Sequence, residues 1–203
     1  KNGLPMALQF SILEIGIIIM QAAVVSFDRA PDGTMLVSMP AQLGYGAASK
    51  VFNLMMSPMS GLGTAMLSFM GQNLGANNKA RMRKGYHIAL LIGLIIWIAT
   101  SAIGLGLMIN GAYQRIFLSA DKITEDTLKF GNIYLFSVIP CNFILILLFL
   151  GRNELQGLEK PLFPFLAGIG ELLARSLVCL FLPRLINGGA VNSLASEASY
   201  ISV

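Results

Sequence analysis

The chain has 203 residues, of which 55% are apolar and only 12% are charged. Soluble proteins carry about 25% charged residues, so too few charges remain here to cover a soluble domain. The apolar content also excludes an intrinsically disordered segment. We therefore expect a multi-pass membrane protein whose surroundings are the lipid bilayer. The net charge of +4 does not indicate a nucleic-acid partner, because no basic run interleaved with aromatic residues occurs.

Five apolar runs reach the roughly 20 residues that a helix needs to cross a bilayer core about 30 Å thick. We predict an all-α transmembrane bundle with helices at 4–27, 41–75, 86–109, 128–150 and 161–186, and a further helix beginning near Gly189. The long second helix is expected to bend at Pro58. The first run contains Glu14 and no cleavage pattern, so it is not a signal peptide. Because the chain begins at Lys1, we expect it to be a fragment of a longer protein.

The connections between these helices predict the orientation of the chain in the membrane. The 76–85 connection contains four basic residues and no acid, so the positive-inside rule places it in the cytoplasm. The start of the chain and the 151–160 connection then share that side, and the 28–40 and 110–127 connections face outside. The 110–127 connection alternates charges around three apolar residues, which predicts a short interfacial helix.

An acidic side chain lies near the centre of the first predicted helix. A charge at that depth costs about 2.5–3.5 kcal/mol on insertion scales, so it should face protein or water. Glu14 and Gln21 are seven residues apart and lie about 20° apart on one helix face. We expect this polar stripe to face the interior of the bundle. Two hypotheses stay open: Glu14 contacts a cation, proton or substrate, or it pairs with a base on another helix.

Two more charges lie near the centre of the last predicted helix. Glu171 and Arg175 have the i, i+4 spacing and order that favour an ion pair on one helix. The pair forms a closed structural salt bridge, or it lines a cavity. Lys50 extends to the outer interface along its apolar stem, or it pairs with Glu14. Counting two central acids against one central base, the charges favour an organic cation over an anionic substrate.

The motifs of enzymes and cofactor sites are missing from the sequence. There is no G-x-S-x-G, no H-E-x-x-H, no phosphate-binding loop and no dinucleotide motif, so we expect a protein that is not an enzyme. The single histidine, His87, has no ligand partner at a suitable spacing, so we expect no metal and no cofactor. Small-residue pairs predict close helix packing. They are Gly71 with Gly75, Gly104 with Gly106, and Gly168 with Gly170.

Three stretches of the sequence carry recognisable motifs. The first, Gly3-Leu-Pro-Met-Ala-Leu-Gln-Phe10, contains Pro5 and Gln9 and resembles the start of the seventh helix of multidrug and toxic compound extrusion (MATE) transporters. The second begins with Gly44-Tyr-Gly-Ala-Ala-Ser-Lys50, continues through Pro58 and ends in Gly71-Gln72-Asn73-Leu74-Gly75-Ala76, and it resembles the eighth helix. The stretch Ala167-Gly-Ile-Gly-Glu-Leu-Leu-Ala-Arg175 is similar to the eleventh helix.

The resemblance implies a twelve-helix secondary antiporter made of two six-helix lobes. This chain would be the second, C-terminal lobe, and its partner the missing N-terminal lobe of the same protein. The protein would export drugs, organic cations or other toxic small molecules in exchange for sodium ions or protons. We expect it in the plasma membrane, and for a bacterial protein in the inner membrane. A related alternative is a flippase for lipid-linked oligosaccharides.

The chain departs from the family pattern at one site. Sodium-coupled members carry an acid in the seventh helix and another in the tenth. Glu14 lies near the first of these positions, whereas the fourth predicted helix has no acid between Leu128 and Gly151. The resemblance then implies that ion coupling depends on acids in the other lobe. We also expect substrate or ion contacts from five residues of this lobe: Glu14, Gln21, Lys50, Glu171 and Arg175.

Overall fold

The computed structural model describes the backbone of residues 3–29 and 34–187 and the side chains of residues 7–29, 34–179 and 181. This part of the chain forms α-helices joined by short turns, and it contains no strand. The helices are α1 (Gly3–Phe27), α2 (Pro40–Gly75), α3 (Lys79–Met108), α4 (Ala112–Phe117), α5 (Glu125–Gly157) and α6 (Leu162–Asn187). The further helix expected near Gly189 lies outside the described residues.

Two of the helices are longer than the sequence predicted. The amide of Arg81 donates to the Asn78 side chain at 3.1 Å, and this N-cap lets α3 begin at Lys79. The basic segment expected as a loop therefore forms the first turns of a helix. Similarly, α5 extends to Gly157, whereas the sequence predicted that it would end at residue 150. Arg152, which we expected in a loop, is consequently held on a helix.

Four of the helices are long and apolar enough to cross a membrane. These candidate spans are Ala7–Phe27, Lys79–Phe117, Glu125–Gly157 and Leu162–Cys179. The predicted span in α2 does not reach the same apolarity, although α2 has 36 residues. The physical reason is its position, since α2 packs against α1, α3, α4 and α5 and needs less apolar surface toward lipid. The fold is thus an all-α transmembrane bundle around α2.

The centre of the bundle is the long contact between α2 and α5. Both helices bury one stripe with a spacing of three or four residues. Glycines let the backbones come close at both ends of this contact. A Cβ atom on Gly44 would lie only 2.6 Å from the Thr127 carbonyl oxygen, and one on Gly157 only 2.6 Å from that of Leu67. Any side chain at these positions would force the two helices apart.

Methionines of α2 fill the core beside these glycines. Four of them are buried along the stripe that faces α3 and α5: Met55, Met59, Met66 and Met70. Flexible thioethers suit a core of irregular shape. The predicted small-residue pairs are partly used: a Cβ on Gly104 would contact Met55, whereas no described atom lies within 4 Å of a Cβ on Gly75, Gly106 or Gly170.

A buried acid joins the end of α1 to the start of α2. Asp28 is fully buried, and the amides of Ala41 and Gln42 donate to its carboxylate oxygens at 2.8 and 2.9 Å. These are the first two amides of α2 that can donate, because Pro40 has none. Burial raises the pKa of Asp28, and the two donors act against that rise. The Asp28 side chain, at the end of α1, therefore caps the N-terminus of α2.

The predicted interfacial helix is α4, and one of its faces is buried in the bundle. Tyr113 and Gln114 are fully buried. The Tyr113 hydroxyl donates to Asn132 Oδ1 at 3.0 Å, and Gln114 Nε2 donates to the Thr127 carbonyl at 2.7 Å. These bonds attach α4 to the first turns of α5.

The α2–α5 contact predicts a sharp difference between two nearby glycines. Gly44→Ala should lower the free energy of unfolding by about 1–3 kcal/mol, because its methyl group would overlap the α5 backbone. Gly46→Ala is the matched control, since no described atom lies within 4 Å of a Cβ there. It should be neutral or stabilise by up to about 1 kcal/mol through helix propensity. Thermal unfolding of the protein in detergent compares the two, and equal stability would contradict the described contact.

The orientation is testable at the α2–α3 turn. Ala76 is exposed there, so Ala76→Cys should resist a membrane-impermeant thiol reagent in intact cells if the turn is cytoplasmic. The native thiols, exposed Cys141 and buried Cys179, are removed first. Ser119→Cys, at an exposed position after α4, is the matched control and should react. The opposite labelling of the two positions would reverse the orientation.

Candidate functional site

A cluster of three charges joins α5 to α6. The Glu171 carboxylate accepts one hydrogen bond from Arg152 of α5 and another from Arg175, one turn further along α6. The side chains are largely shielded, with exposed fractions of 16% for Arg152, 22% for Glu171 and 34% for Arg175. The predicted Glu171–Arg175 pair is therefore present, but a second base shares the same acid.

The second arginine changes the charge balance expected from the sequence. The Arg152–Glu171–Arg175 cluster carries one net positive charge, where we had counted a neutral pair. Arg152 was missed because it was assigned to a loop, whereas α5 continues past it to Gly157. Its Nε atom is buried and has no hydrogen-bond partner within the described residues. The central charges are thus two acids and two bases, and their number alone does not favour a cationic substrate.

A pair of glutamines connects α1 to the same end of α5. Gln156 Nε2 donates to Gln9 Oε1 at 3.0 Å, and Gln9 is buried with an exposed fraction of only 2%. Glycines bring α1 close to α6 beside these groups. A Cβ on Gly168 would lie 3.4 Å from Gln9 Cγ, and one on Gly16 would lie 3.6 Å from Arg175 Cδ. Gln9, which belongs to the first family motif, therefore makes a structural contact within the bundle.

Glu14 and Gln21 lie on the exposed face of α1. The expectation that this stripe faces the interior of the bundle was wrong. The buried face of α1 is the one that contains Gln9 and Gly16 and packs against α6. Glu14 precedes Gly16 by two positions, or about 200° around the helix, and so points to the opposite side. Ser11 is exposed beside Glu14 and extends the polar stripe, and we had not singled it out.

The structure decides between the two partners considered for Lys50. The Lys50 ammonium group lies 5.4 Å from the centre of the Phe117 ring in α4, and no ion pair joins it to Glu14 within the described part of the chain. Lys50 is exposed at the end of the bundle where α4 lies, as expected for a side chain that extends to the membrane interface. Glu14 is therefore an exposed carboxylate without a basic partner among the described residues.

The other residues of the family motif have mainly structural surroundings. Pro58 is exposed within α2, and the helix is continuous around it. Asn73 is buried and its Nδ2 donates to the Phe69 carbonyl at 2.7 Å, while Gln72 is exposed and its carbonyl accepts from the amide of Ala76. A Cβ on Gly71 would lie 3.7 Å from the Gly157 carbonyl. Pro5 lies in α1, but its side chain is outside the described ones.

Between Leu128 and Gly151, α5 contains no acid, and its polar side chains include the amides of Asn132 and Asn142. Asn142 is 1% exposed, and its Oδ1 has no hydrogen-bond partner among the described residues. The amide oxygen of Asn142 can accept a hydrogen bond or contact a cation, but the side chain is neutral and does not bind and release a proton as a carboxylate does. Within the described residues, no three His, Cys, Asp or Glu side chains are grouped to hold a metal ion.

Comparison with known protein families identifies most of the bundle. A family model described as MatE matches residues 42–181, which extend from the first turn of α2 into α6. The matched segment includes the Arg152–Glu171–Arg175 cluster and Lys50, and it leaves α1 with Glu14 outside. No curated protein and no solved structure matches the chain significantly.

The three-charge cluster predicts an asymmetric response to the loss of its members. Glu171→Gln leaves two shielded guanidinium groups facing each other without an acid, which should destabilise the fold by about 1–3 kcal/mol. Arg152→Gln should lower the free energy of unfolding by less, because Glu171 keeps its ion pair with Arg175. Glu154→Gln is the matched control, since Glu154 has no ion pair among the described residues. Thermal unfolding in detergent measures all three, and a Glu171 variant as stable as the control would contradict the cluster's role.

Proposed function

The chain belongs to the MatE family of membrane transporters, which are not enzymes, and we propose that it forms one lobe of a secondary antiporter. In this proposal the protein exports drugs, organic cations or other toxic small molecules in exchange for sodium ions or protons. Its partner is a second, N-terminal lobe of the same protein, and its location is the plasma membrane. For a bacterial protein that is the inner membrane.

The observation that carries the proposal is the polar stripe of α1. Glu14 and Gln21 lie within the candidate span Ala7–Phe27, on a face that no described helix covers. Full exposure of a carboxylate to lipid at that depth would be strongly unfavourable. A second lobe, or a water-filled cavity between two lobes, provides the polar surroundings that Glu14 needs. The stripe therefore suits one wall of a transport cavity.

A lone carboxylate in such a cavity supports exchange transport. It attracts an organic cation, and it also binds a proton or a sodium ion. Because there is only one negative charge, binding of the coupling ion lowers the affinity for the cationic substrate. Entry of the coupling ion from one side then promotes release of the substrate. The two lobes would rock about this shared site, as secondary transporters with sites at the membrane midplane do. Glu14 is the residue of this lobe that we assign to that exchange.

A flippase for lipid-linked oligosaccharides is the second candidate. The observation in its favour is the net positive charge of the Arg152–Glu171–Arg175 cluster. Arginines recognise phosphate groups through paired hydrogen bonds, and a pyrophosphate-linked sugar carries such groups. Against it, both arginines are already engaged with Glu171, so the phosphate would have to displace an existing ion pair. The antiporter therefore remains the first proposal.

The antiport proposal predicts a selective loss of export in a Glu14 variant. Glu14→Gln keeps the shape of the side chain and removes its charge, so efflux of a cationic dye such as ethidium should fall at least tenfold, about 1.4 kcal/mol. Because Glu14 has no ion pair with any described residue, expression and stability should stay near normal. The measurement is dye efflux from cells or vesicles that carry the protein, driven by a sodium or proton gradient.

The matched control is Glu159→Gln, which removes another exposed acid, in the turn between α5 and α6. It should leave efflux unchanged. Normal efflux in the Glu14 variant would refute a role in exchange. No dye efflux by the unaltered protein, together with translocation of a lipid-linked oligosaccharide that Arg152→Gln abolishes, would favour the flippase.

A further inference from the structure

A groove between α2 and α3 combines apolar walls with two basic residues at one end. It has a volume of about 540 Å³. Met66 and Phe69 of α2 form one wall, Ile88 and Ile92 of α3 form the other, and Arg81 and Lys84 stand at the end nearest the α2–α3 turn. We propose that this groove binds one anionic phospholipid, with an acyl chain between the helices and the phosphate at Arg81 and Lys84.

The shape of the groove depends on a glycine opposite an aromatic ring. A Cβ on Gly85 would lie 2.2 Å from the Phe69 ring, so any other residue here would displace the ring from its place beside α3. The guanidinium carbon of Arg81 is 5.9 Å from the centre of the same ring. This cation–π contact keeps Arg81 beside the apolar wall, although its own side chain is exposed.

The walls of the groove continue into a surface suited to lipid. Ile88 and Ile92 are 47% and 41% exposed, and Ile95, one turn further along α3, is 65% exposed. All three lie in the candidate membrane span that begins at Lys79. An acyl chain in the groove would therefore bury apolar surface on both helices while its far end stays among other lipids.

The charges at the end of the groove select an anionic headgroup. The first turn of α3 contains no acid, and no acidic residue of the described part pairs with Arg81 or Lys84. Positive side chains at a helix N-terminus are unfavourable, because the helix dipole is positive there too. A phosphate group would relieve this repulsion. Basic pockets between helices on the cytoplasmic side are suited to such lipids, and the predicted orientation places the turn on that side.

The adjacent face of α3 provides a comparison. It has a depression of about 620 Å³ whose lining residues all belong to α3, and it shares Lys84 and Ile88 with the groove. Lys79, Arg83 and His87 line the depression but not the groove. A lipid there would contact one helix only and gain no second apolar wall. The two faces therefore carry similar charge but differ in their capacity to hold an acyl chain.

The test compares two double variants that remove the same charge. The intact protein, purified in detergent, is mixed with equal amounts of phosphatidylglycerol and phosphatidylcholine with identical acyl chains, and bound lipid is counted by native mass spectrometry. We expect one preferentially bound phosphatidylglycerol. Arg81→Gln with Lys84→Gln should weaken its binding about 25-fold, since each basic residue near an anionic surface contributes about a factor of five. Lys79→Gln with Arg83→Gln should weaken it no more than a few-fold.

The apolar part of the site has its own pair of variants. Ala65 is exposed and lines the groove, so Ala65→Phe should fill it and reduce binding at least tenfold. Ala80→Phe, at an exposed position on the other face of α3, should not. Thermal unfolding confirms that all variants remain folded. Equal losses in the two double variants, equal binding of the two lipids, or unchanged binding in Ala65→Phe would each overturn the proposal.

Discussion

The close approach of α2 and α5 is the constraint on which the bundle depends. At Gly44 the backbone of α5 occupies the space that a side chain on α2 would need, and at Gly157 the backbone of α2 occupies the space that a side chain on α5 would need. Between the helices of a membrane protein the hydrophobic effect gives little drive, so close packing of this kind is a main source of stability. The contact also explains why α2 is less apolar than the other long helices. Its neighbours separate much of it from lipid, and four methionines fill the spaces that the glycines leave.

The α1–α6 pair is attached to this central contact through polar groups. Near one end, Gln156 of α5 bonds to Gln9, and Arg152 of α5 bonds to Glu171. At the other end, Asp28 caps α2. Polar contacts of this kind depend on direction, so they determine how α1 is rotated about its own axis. With Gln9 and Gly16 turned toward α6, Glu14 must face away from the bundle. The position of the proposed exchange site thus follows from contacts made elsewhere on the same helix.

The sequence predicted the helical architecture well and the side-chain partners less well. Apolar runs identify helices in lipid, because backbone groups there must be bonded internally. They do not reveal where a helix continues past the apolar segment, which is why Arg152 was assigned to a loop. The i, i+4 spacing predicted the Glu171–Arg175 contact, since it depends on one helix only. The orientation of Glu14 depends on how α1 packs against α6, and no local pattern contains that information.

The most direct test of the account is the water accessibility of α1 in the membrane. In a background lacking Cys141 and Cys179, single cysteines replace Glu14 and Gln21 on the polar stripe and Leu8 and Ile15 beside it. All four positions are exposed on α1. The account predicts that a hydrophilic maleimide labels positions 14 and 21 in membrane vesicles, that a cationic dye slows the labelling of position 21, where Glu14 is intact, and that positions 8 and 15 do not react. Unreactive cysteines at 14 and 21, or equal reaction at all four positions, would contradict the claim that this stripe lines a transport cavity.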